Sequence, residues 1–327
     1  MADVAKEAGV SHQTVSRVLN EHPNVRSETR ARVMEAIDKL GYRRNLVARA
    51  LVTKHSRTLG VVSFDTTLYG PASTVYGIEQ AARGAGYFVS IVSLKSIDKI
   101  GVSDALDYLA DQGVDGIVVV APQRSAAQAL GELPFGVPTV AVEGGEAGDV
   151  SVVCVDQVRG GRMATEHLLS LGHETVWHIR GPSDWLEAEG RVAGWRAALE
   201  QAGRSAPEPL AGDWSPRSGY EAGRSLASMK DVTAVFVAND QMALGVLRAF
   251  TEQGVRVPDQ VSVVGFDDIP ESEFFSPPLT TIRQDFGAVG RHSIEVLLRQ
   301  IEGQGSHECE RLVVPPSLVS RASTARR

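Results

Sequence analysis

The stretch Val10-Ser11-His12-Gln13-Thr14-Val15-Ser16-Arg17-Val18-Leu19-Asn20 decides the fold at the start of this 327-residue chain. Val15, Val18 and Leu19 recur at helical spacing, so they predict a short helix with one apolar face. Ser11 is a natural N-cap for that helix, because its hydroxyl can accept from a backbone N–H of the first turn. The opposite face is polar and consists of His12, Gln13, Ser16, Arg17 and Asn20.

Another short helix is expected just before this one, over residues 3–8, with Val4 and Ala8 on one face. Gly9 supplies the permissive backbone for a tight turn between the two helices. The polar face of the second helix holds side chains of the types that hydrogen-bond base edges and phosphates. The pair therefore predicts a helix-turn-helix with an exposed recognition helix, and hence a protein that binds double-stranded DNA.

Charge is distributed unevenly along the chain, although the whole carries a net charge of -7. Residues 1–57 hold 11 basic and 6 acidic side chains, a net charge of +5, and the remainder carries −12. A basic module on an acidic body confines attraction for phosphates to one end. The alternative interpretation is a solvated, charged helix surface without a partner.

The overall composition, 43% hydrophobic and 22% charged, is typical of a soluble globular protein. No apolar run approaches the roughly 18 residues of a membrane span, and no signal-peptide pattern precedes the first helix. The two cysteines, Cys154 and Cys309, do not suggest a disulfide framework. We therefore expect a cytoplasmic protein without a membrane partner.

The first domain is predicted over residues 1–42, as three short helices around one core. Ser27 can cap the third helix, which Gly41 ends. Its apolar residues follow the i, i+3, i+4, i+7 pattern and are Val33, Ala36, Ile37 and Leu40. Residues 43–57 then form a hinge helix and linker, in which Asn45 could cap a short helix. Isolated helices of this length are marginal, so we expect it to order only on a partner or on DNA.

From residue 58 to 327, apolar strand-like runs alternate with helical patterns. One series of predicted strands covers 59–64, 88–92, 116–120 and 139–142, and a second covers 152–155, 176–179, 234–237 and 261–264. Continuous Val/Ile runs are typical of parallel strands buried on both faces. The two series predict an α/β core of two doubly wound lobes, with a ligand at the carboxyl ends of the strands.

Polar and aromatic residues are expected at those strand ends or near them, namely Glu143, Arg191, Trp214, Asn239 and Asp267. Carboxylates accept hydrogen bonds from sugar hydroxyls, Arg and Asn donate, and an aromatic face covers the apolar side of a ring. The set therefore suits a polyhydroxyl ligand. Strand-end Asp and Asn residues can instead cap the following helix, and we assign that role to Asp240.

These residues, taken together, resemble the lactose-repressor (LacI/GalR) family of bacterial transcription regulators, and within it the lactose-repressor branch. The resemblance covers nearly the whole chain. At the amino end it rests on residues 3–5, 9–11, 14–20, 41–42, 45 and 48–51, and in the body on 168–173, 194–195, 213–215, 237–245, 263–268 and 277–286. It implies the fold of periplasmic sugar-binding proteins for the body.

The resemblance implies a role for each residue of the DNA-binding module. His12, Gln13 and Arg17 would read bases in the major groove, where Gln matches adenine and Arg matches guanine. The residues expected to position the recognition helix are Ser11, Thr14, Ser16 and Asn20. Leu51, in the hinge helix that begins near Asn45, would enter the minor groove at the centre of a palindromic operator.

The resemblance also implies a sugar site formed by Leu68, Pro71, Glu143, Arg191, Trp214, Asn239, Asp267, Gln284 and Phe286. It implies a repressor of sugar-utilisation genes, nucleoid-associated while on DNA, that a sugar, best a galactoside, releases from its operator. A corepressor mode, as in purine repressors, is the alternative. The residues at Glu143, Glu187 and Phe64 depart from that branch and reshape the pocket. No heptad-bearing tail follows residue 319, so we expect a homodimer.

Two other classes of protein fit the sequence less well. A transport binding protein would share the fold, but the helix-turn-helix argues against it. A glycoside hydrolase needs two carboxylates across one bond, whereas the adjacent Asp267 and Asp268 point to opposite faces of a strand. His167 and His173 have poor spacing for a metal and are interpreted as surface residues. We therefore expect neither catalytic residues, nor a metal site, nor a cofactor.

Overall fold

The computed structural model describes residues 1–19, 22–42, 55–64, 67–94, 99–126, 130, 136–143, 145, 150–303 and 309–327. The chain divides into two compact units, Met1–Ser56 and Arg57–Arg327. Three predicted DNA contacts, Asn20, Asn45 and Leu51, lie outside the described residues. The predicted hinge helix lies outside them as well.

The first unit contains α1 (Ala2–Glu7), α2 (His12–Leu19) and α3 (Ser27–Leu40). Their shared core consists of Val4, Ala5, Ala8, Val15, Val18, Val33 and Ala36. Gly9 has a φ of 62°, the left-handed conformation that the turn between α1 and α2 requires. The Thr14 N–H donates to Ser11 Oγ at 3.1 Å, so Ser11 caps α2 as predicted. The helix-turn-helix is thus present, with Val15 and Val18 facing inward.

Helix α3 differs from the prediction at its amino end and in the burial of Leu40. Ser27 is its first helical residue, and the N-cap is Arg26, which makes no side-chain capping bond, so the assignment of Ser27 as the cap is wrong. Leu40, which continues the apolar period of the helix, is left 45% exposed by the described part of the chain. Gly41 ends the helix in the left-handed conformation, as predicted.

The strands of the second unit are, in chain order, β1 (Thr58–Phe64), β2 (Phe88–Leu94), β3 (Gly116–Val120), β4 (Thr139–Val142), β5 (Ser151–Val155), β6 (Trp177–Arg180), β7 (Leu210–Ala211), β8 (Ala234–Val237), β9 (Ser262–Asp267), β10 (Thr280–Arg283), β11 (Arg311–Val314) and β12 (Ser317–Val319). They form two six-stranded sheets, ordered β11-β5-β4-β3-β1-β2 and β12-β10-β9-β8-β6-β7. Every pairing is parallel except that of β10 with β12.

Helices cover both faces of each sheet, which confirms the two doubly wound lobes. They are α4 (Tyr69–Gly84), α5 (Lys99–Asp111), α6 (Gln157–Ser170), α7 (Leu186–Gln201), α8 (Pro216–Ala227), α9 (Asp240–Glu252) and α10 (Phe286–Ile301). In the first lobe α4 and α10 pack on one face and α5 on the other. In the second lobe α6 and α7 pack on one face, and α8 and α9 on the other.

The boundary between the lobes differs from the prediction. Strand β5 pairs with β4 and β11 in the first sheet, so its assignment to the second series is wrong. The chain then returns to the first lobe for α10 and β11 before it ends in the second sheet at β12. Each lobe is therefore built from separate parts of the chain. The connections between lobes are only a few residues long, so composition does not mark them.

Strand β2 is an exception to the expected burial. It is the edge strand of the first sheet, and its Phe88 and Ile91 are 61% and 48% exposed. The other strands of that sheet up to β5 carry the buried Val/Ile runs that the sequence predicts. An apolar run in the sequence does not distinguish an interior strand from an edge strand that has one unpaired side.

Helices α6 and α7 approach so closely that glycine is needed at their contact. A Cβ at Gly194 would overlap the Val158 carbonyl oxygen. We expect Gly194→Ala to lower the melting temperature of the protein by about 5 °C or more, because overpacking a core costs about 1–3 kcal/mol. Gly84→Ala is the matched control, since a methyl there meets nothing within 4 Å. Equal melting temperatures for the two variants, measured by calorimetry, would contradict the packing described.

Candidate functional site

A cavity of about 250 Å³ lies between the amino end of α4 and the carboxyl ends of the second sheet's strands. It is lined by Thr67, Leu68, Tyr69, Gly70, Pro71, Trp185, Glu187, Arg191, Trp214, Ser215, Pro216, Asn239, Gln241, Asp267 and Gln284. This is the edge of the sheet at which parallel strands of open α/β folds place their ligands. The first lobe contributes α4 and the loop before it, and the second lobe most of the remaining wall.

Arg191 is held rigidly in the wall of this cavity. It projects from α7 and is only 2% exposed. Its Nε donates to Gln157 Oε1 at 2.9 Å, and its Nη1 donates to the carbonyl oxygen of Ala238. The guanidinium carbon lies 3.8 Å from the centre of the Phe266 ring and 5.4 Å from that of Trp214. A guanidinium fixed in this way presents its remaining N–H groups in one direction.

Asp267, at the end of β9, is the anionic partner of Arg191. The Arg191 Nη2 lies 3.7 Å from Asp267 Oδ1, and Gln284 Nε2 donates to the same oxygen at 2.7 Å. Burial raises the pKa of Asp267 to about 6, although Arg191 and Gln284 both favour its charged form. The cavity thus contains a cation and an anion side by side, both within reach of a polar ligand.

The N-cap of α9 is Asn239 and not Asp240, to which the sequence assigned that role. Asn239 is the N-cap of α9, since its Oδ1 accepts from the Met242 N–H at 2.9 Å, and its Nδ2 donates to Trp214 O and Gln241 Oε1. Asp240 is not the cap. Its carboxylate accepts from Thr281 Oγ1 at 2.6 Å and from the Ile269 N–H at 3.0 Å. Asn239 therefore has its donors occupied and offers a ligand only its remaining oxygen lone pair.

Two tryptophans form an aromatic corner in the cavity wall. Trp185 and Trp214 meet edge to face, with ring centres 5.5 Å apart and an interplanar angle of 72°. Phe64 packs edge-on behind Trp185 at 6.3 Å. The buried indole N–H of Trp214 finds no acceptor among the described residues. An unmet donor in a cavity wall is costly unless a ligand or water satisfies it.

Backbone strain is concentrated around the same site. Non-glycine residues with positive φ include Trp214 at 71°, Asp267 at 108°, Asp268 at 57° and Glu143 at 60°. Each follows or ends a strand at the edge where the cavity lies. Such conformations cost about 1–3 kcal/mol each and persist where the surrounding structure enforces them, which is common at binding sites.

Two of the predicted ligand residues lie outside the lining of this cavity. Glu143 borders a neighbouring cavity of about 270 Å³ with Cys154 and Gln157, and its Oε1 accepts from the Val155 N–H at 2.8 Å. Phe286, at the start of α10, lines a groove beside α4 and packs edge-on against Tyr69 at 5.9 Å. The other seven, namely Leu68, Pro71, Arg191, Trp214, Asn239, Asp267 and Gln284, do line it.

Glu143 and Glu187 are two carboxyl groups that disfavour each other's charge. Burial, and for Glu143 also the charge of Glu187, raises the pKa of Glu143 to about 8, while burial raises that of Glu187 to about 7. The folded state therefore retains these protons to a higher pH than the unfolded chain does. The contribution of these two groups to the free energy of unfolding should accordingly fall as the pH rises from about 5 to about 8.

Glu187→Gln tests this electrostatic cost. Because the amide carries no charge, we expect the variant to melt at least about 3 °C above the wild type at pH 8 and within about 1 °C of it at pH 5. Glu200→Gln, an exposed position on the same helix, is the control and should change neither value. The raised pKa of Glu187 would be refuted if the melting temperature of Glu187→Gln, relative to that of the wild type, were lower at pH 8 than at pH 5.

Several residues of the wall could not be identified from sequence as part of a site. They are Thr67, Tyr69, Gly70, Trp185, Ser215, Pro216 and Gln241. Trp185 follows β6 by a few residues, so its place after a strand end was the available signal. His173 is buried, bonded to Thr233 and Ser262, so its interpretation as a surface residue is wrong; His167 is half-buried and contacts Thr324.

The polar face of α2, in the first unit, is accessible. Ser11, His12, Gln13 and Arg17 are exposed, and Thr14 and Ser16 are half-buried. Ser11 Oγ and Thr14 Oγ1 are hydrogen-bonded to each other at 2.9 Å. Three side chains able to contact base edges, His12, Gln13 and Arg17, thus lie on the exposed face of a short helix that its apolar face anchors.

Comparison with known proteins shows that both units of the chain match known families. Residues 1–45 match the profile of the bacterial regulatory proteins of the lacI family, and residues 165–324 match that of the periplasmic binding protein-like domain. The lactose operon repressor of Escherichia coli is 37% identical over 98% of this chain and 89% of its own length. The repressor PurR of Haemophilus influenzae is 35% identical over 98% of this chain and 97% of its own.

Solved structures agree with the sequence relatives. The lac repressor dimer bound to operator and the anti-inducer ONPF superposes with a TM-score of 0.86 at 35% identity, covering 99% of this chain and 98% of that one. A complex of the regulator CelR with cellobiose gives 0.74 at 35% identity, covering 98% of both chains. These proteins are transcriptional regulators, and both solved structures contain a bound small molecule. The chain belongs to the lacI family of bacterial regulatory proteins.

The family sets the general activity of the protein. It is a DNA-binding transcriptional repressor that responds to a small-molecule effector, and its relatives are repressors rather than enzymes. Within the described residues, no group of three or more His, Cys, Asp or Glu side chains is placed to hold a metal ion. The same part of the chain has no helix that is both long and apolar enough to cross a membrane.

Proposed function

We propose that this repressor controls sugar-utilisation genes and is released from a palindromic operator by a sugar, best a galactoside. The observation that carries the proposal is the corner formed by Trp185 and Trp214 beside the Arg191–Asp267 pair. A sugar ring has an apolar face and a rim of hydroxyls, so it needs an aromatic surface and mixed donors and acceptors together.

Each proposed contact uses a donor, an acceptor or an apolar surface of its side chain that remains available to a ligand. Arg191 donates, Asp267 accepts, and the Trp214 ring covers an apolar face of the sugar. Asn239 accepts, while Leu68 and Pro71 close the cavity from the first lobe. Gln284 steadies Asp267. Glu143 and Phe286 act from behind the cavity wall, as parts of the site's surroundings.

On the DNA side, we propose that His12, Gln13 and Arg17 read base edges in the major groove. The residues proposed to position the helix on the backbone are Ser11, Thr14, Ser16 and Asn20. Asn45 and Leu51 would act in the hinge and the minor groove. The protein would work in the bacterial cytoplasm, associated with the nucleoid while bound to DNA.

We propose that the working form is a homodimer, as in the lac repressor complex with operator. The first lobe carries the exposed apolar side chains Tyr76, Phe88, Ile91, Ile100 and Tyr108 on α4, β2 and α5. Exposed groups of this size usually mark a surface that a partner covers. A twofold dimer would match a palindromic operator.

The alternative is a corepressor mode, in which the ligand tightens binding to DNA. PurR relatives of nearly equal length and similar identity favour it, and Trp185 and Trp214 could also stack on a purine. Sugar and purine predict opposite changes in operator affinity.

A ligand panel separates the two modes. Operator binding is measured by fluorescence anisotropy with D-galactose, methyl β-D-galactopyranoside, cellobiose, hypoxanthine and guanine, each at saturating concentration. We expect a galactoside to weaken binding. Tighter binding with a purine would establish the corepressor mode, and no effect of any sugar would refute release by sugar.

A further inference from the structure

The amide of Gln157 lies at a junction between the two lobes. Gln157 is the first residue of α6, directly after the chain leaves β5 of the first sheet. It is buried and does not line the cavity. Neither its burial nor its place in sequence marks it as functional, since a helix start after a strand is an ordinary location for a polar residue.

Two side chains, one from α7 and one from the segment just before α10, meet at this amide. Its Oε1 accepts from Arg191 Nε at 2.9 Å, and its Nε2 donates to Gln284 Oε1 at 2.9 Å. The oxygen and one N–H group of the amide are therefore engaged, and rotating it by 180° would set donor against donor at Arg191.

These contacts form a closed ring of side chains. From Gln157 the ring passes to Gln284, then to Asp267 at 2.7 Å, then to Arg191 and back to Gln157. Arg191, Asp267 and Gln284 all line the cavity, whereas Gln157 stands behind them. The Gln157 side chain is also closely packed against α7, because a Cβ at Gly190 would come within 2.7 Å of Gln157 Cβ.

We propose that Gln157 is a positioning residue that sets the orientation of Arg191 and Gln284 and ties them to each other where the chain leaves the first lobe. It defines which N–H of Arg191 remains for the ligand, and it makes the cavity wall depend on where the two lobes meet. Only the expected effect of Gln157 on effector affinity rests on the proposed function. The positioning itself exists without any ligand.

The test uses the full-length protein and three variants. Gln157→Met keeps the length of the side chain and removes every hydrogen bond. Gln157→Glu keeps an acceptor for Arg191 but removes the donor to Gln284. Gln300→Met is the matched control, because it removes one glutamine bond, to Ser151 Oγ, away from the cavity.

Crystal structures of the ligand-free wild type and variants give the first readout. We expect Gln157→Met to displace both Arg191 and Gln284 by more than 1 Å, and Gln157→Glu to displace Gln284 while Arg191 stays. Unchanged positions of both side chains in Gln157→Met would overturn the proposal. This readout needs no effector and so stands whether or not a sugar releases the operator.

Affinity for methyl β-D-galactopyranoside, measured by calorimetry, gives the second readout. We expect Gln157→Met to bind at least about 10-fold more weakly and Gln300→Met to bind as the wild type does. If Gln157→Met moves the two side chains but binds the galactoside with unchanged affinity, the consequence for recognition is refuted. If the wild type itself does not bind methyl β-D-galactopyranoside, the proposed recognition of a galactoside is refuted. The crystal structures alone then test the positioning role of Gln157.

Discussion

Arg191→Ala is expected to abolish the response of the repressor to its effector while operator binding persists. Arg191 supplies the free guanidinium N–H groups of the cavity, and its loss also leaves Asp267 without its cation. Charge-assisted hydrogen bonds are worth about 1.5–3 kcal/mol each, so losing two of them should weaken effector binding by at least about 100-fold. Effector affinity is measured by calorimetry and operator affinity by anisotropy.

The same substitution has a second effect that must be separated from the first. Removing one partner of a buried ion pair typically costs about 3–5 kcal/mol of stability, and Arg191 is almost fully buried. The double variant Arg191→Ala with Asp267→Asn removes both charges and should recover part of the stability but none of the effector response. Arg196→Ala, exposed on the same helix, is the control. An Arg191→Ala protein that folds and still responds to the effector would contradict the assignment of the site.

Arg17→Ala is expected to lower specific operator affinity by at least about 100-fold and leave effector binding intact. Arg17 is exposed on the polar face of α2, and a bidentate contact with guanine contributes about 1–3 kcal/mol of discrimination in each half-site. A dimer loses that contact twice. Affinity for a random duplex should fall much less, since it depends on the general attraction of basic residues for phosphates.

Arg32→Ala controls for the loss of one positive charge in the same domain, because Arg32 is also exposed, on α3. It should reduce specific and random-duplex binding by a similar, small factor. If Arg17→Ala and Arg32→Ala reduce specific binding equally, Arg17 acts only through its charge. A melting curve of each variant excludes unfolding as the cause, since Arg17 points away from the core of Val15 and Val18.

The fold followed from sequence wherever local pattern and tertiary packing agree. The spacing of Val15, Val18 and Leu19 predicted α2, and the apolar runs 116–120 and 139–142 predicted β3 and β4 to the residue. Predictions failed where the pairing between strands decides. Strand β5 joins the first sheet because it pairs with β4, which comes just before it, and with β11, which lies more than 150 residues further along the chain.

The site was predictable in part for a related reason. Strand ends locate Asp267 and Asn239, because parallel strands bring their carboxyl ends to one edge. That Asn239 and not Asp240 caps α9 was not predictable, since the Asp240 carboxylate binds Thr281 and Ile269 in a neighbouring strand and loop. Likewise Trp185 enters the wall because it meets Trp214 and Phe64, which local sequence does not indicate.

Effector and operator are expected to oppose each other through one equilibrium between two arrangements of the lobes. Linkage then requires the antagonism to be reciprocal, so the operator must weaken effector binding by the same factor by which the effector weakens operator binding. A coupling of about 2.7 kcal/mol corresponds to a 100-fold change in either affinity.

Release by a galactoside is tested most directly by an anisotropy titration of a palindromic operator, selected from a random duplex library, with and without saturating methyl β-D-galactopyranoside. We expect the galactoside to raise the Kd for operator by about 100-fold and to change binding to random duplex little. A Kd that the galactoside leaves unchanged, or lowers, would contradict release of this repressor by a galactoside.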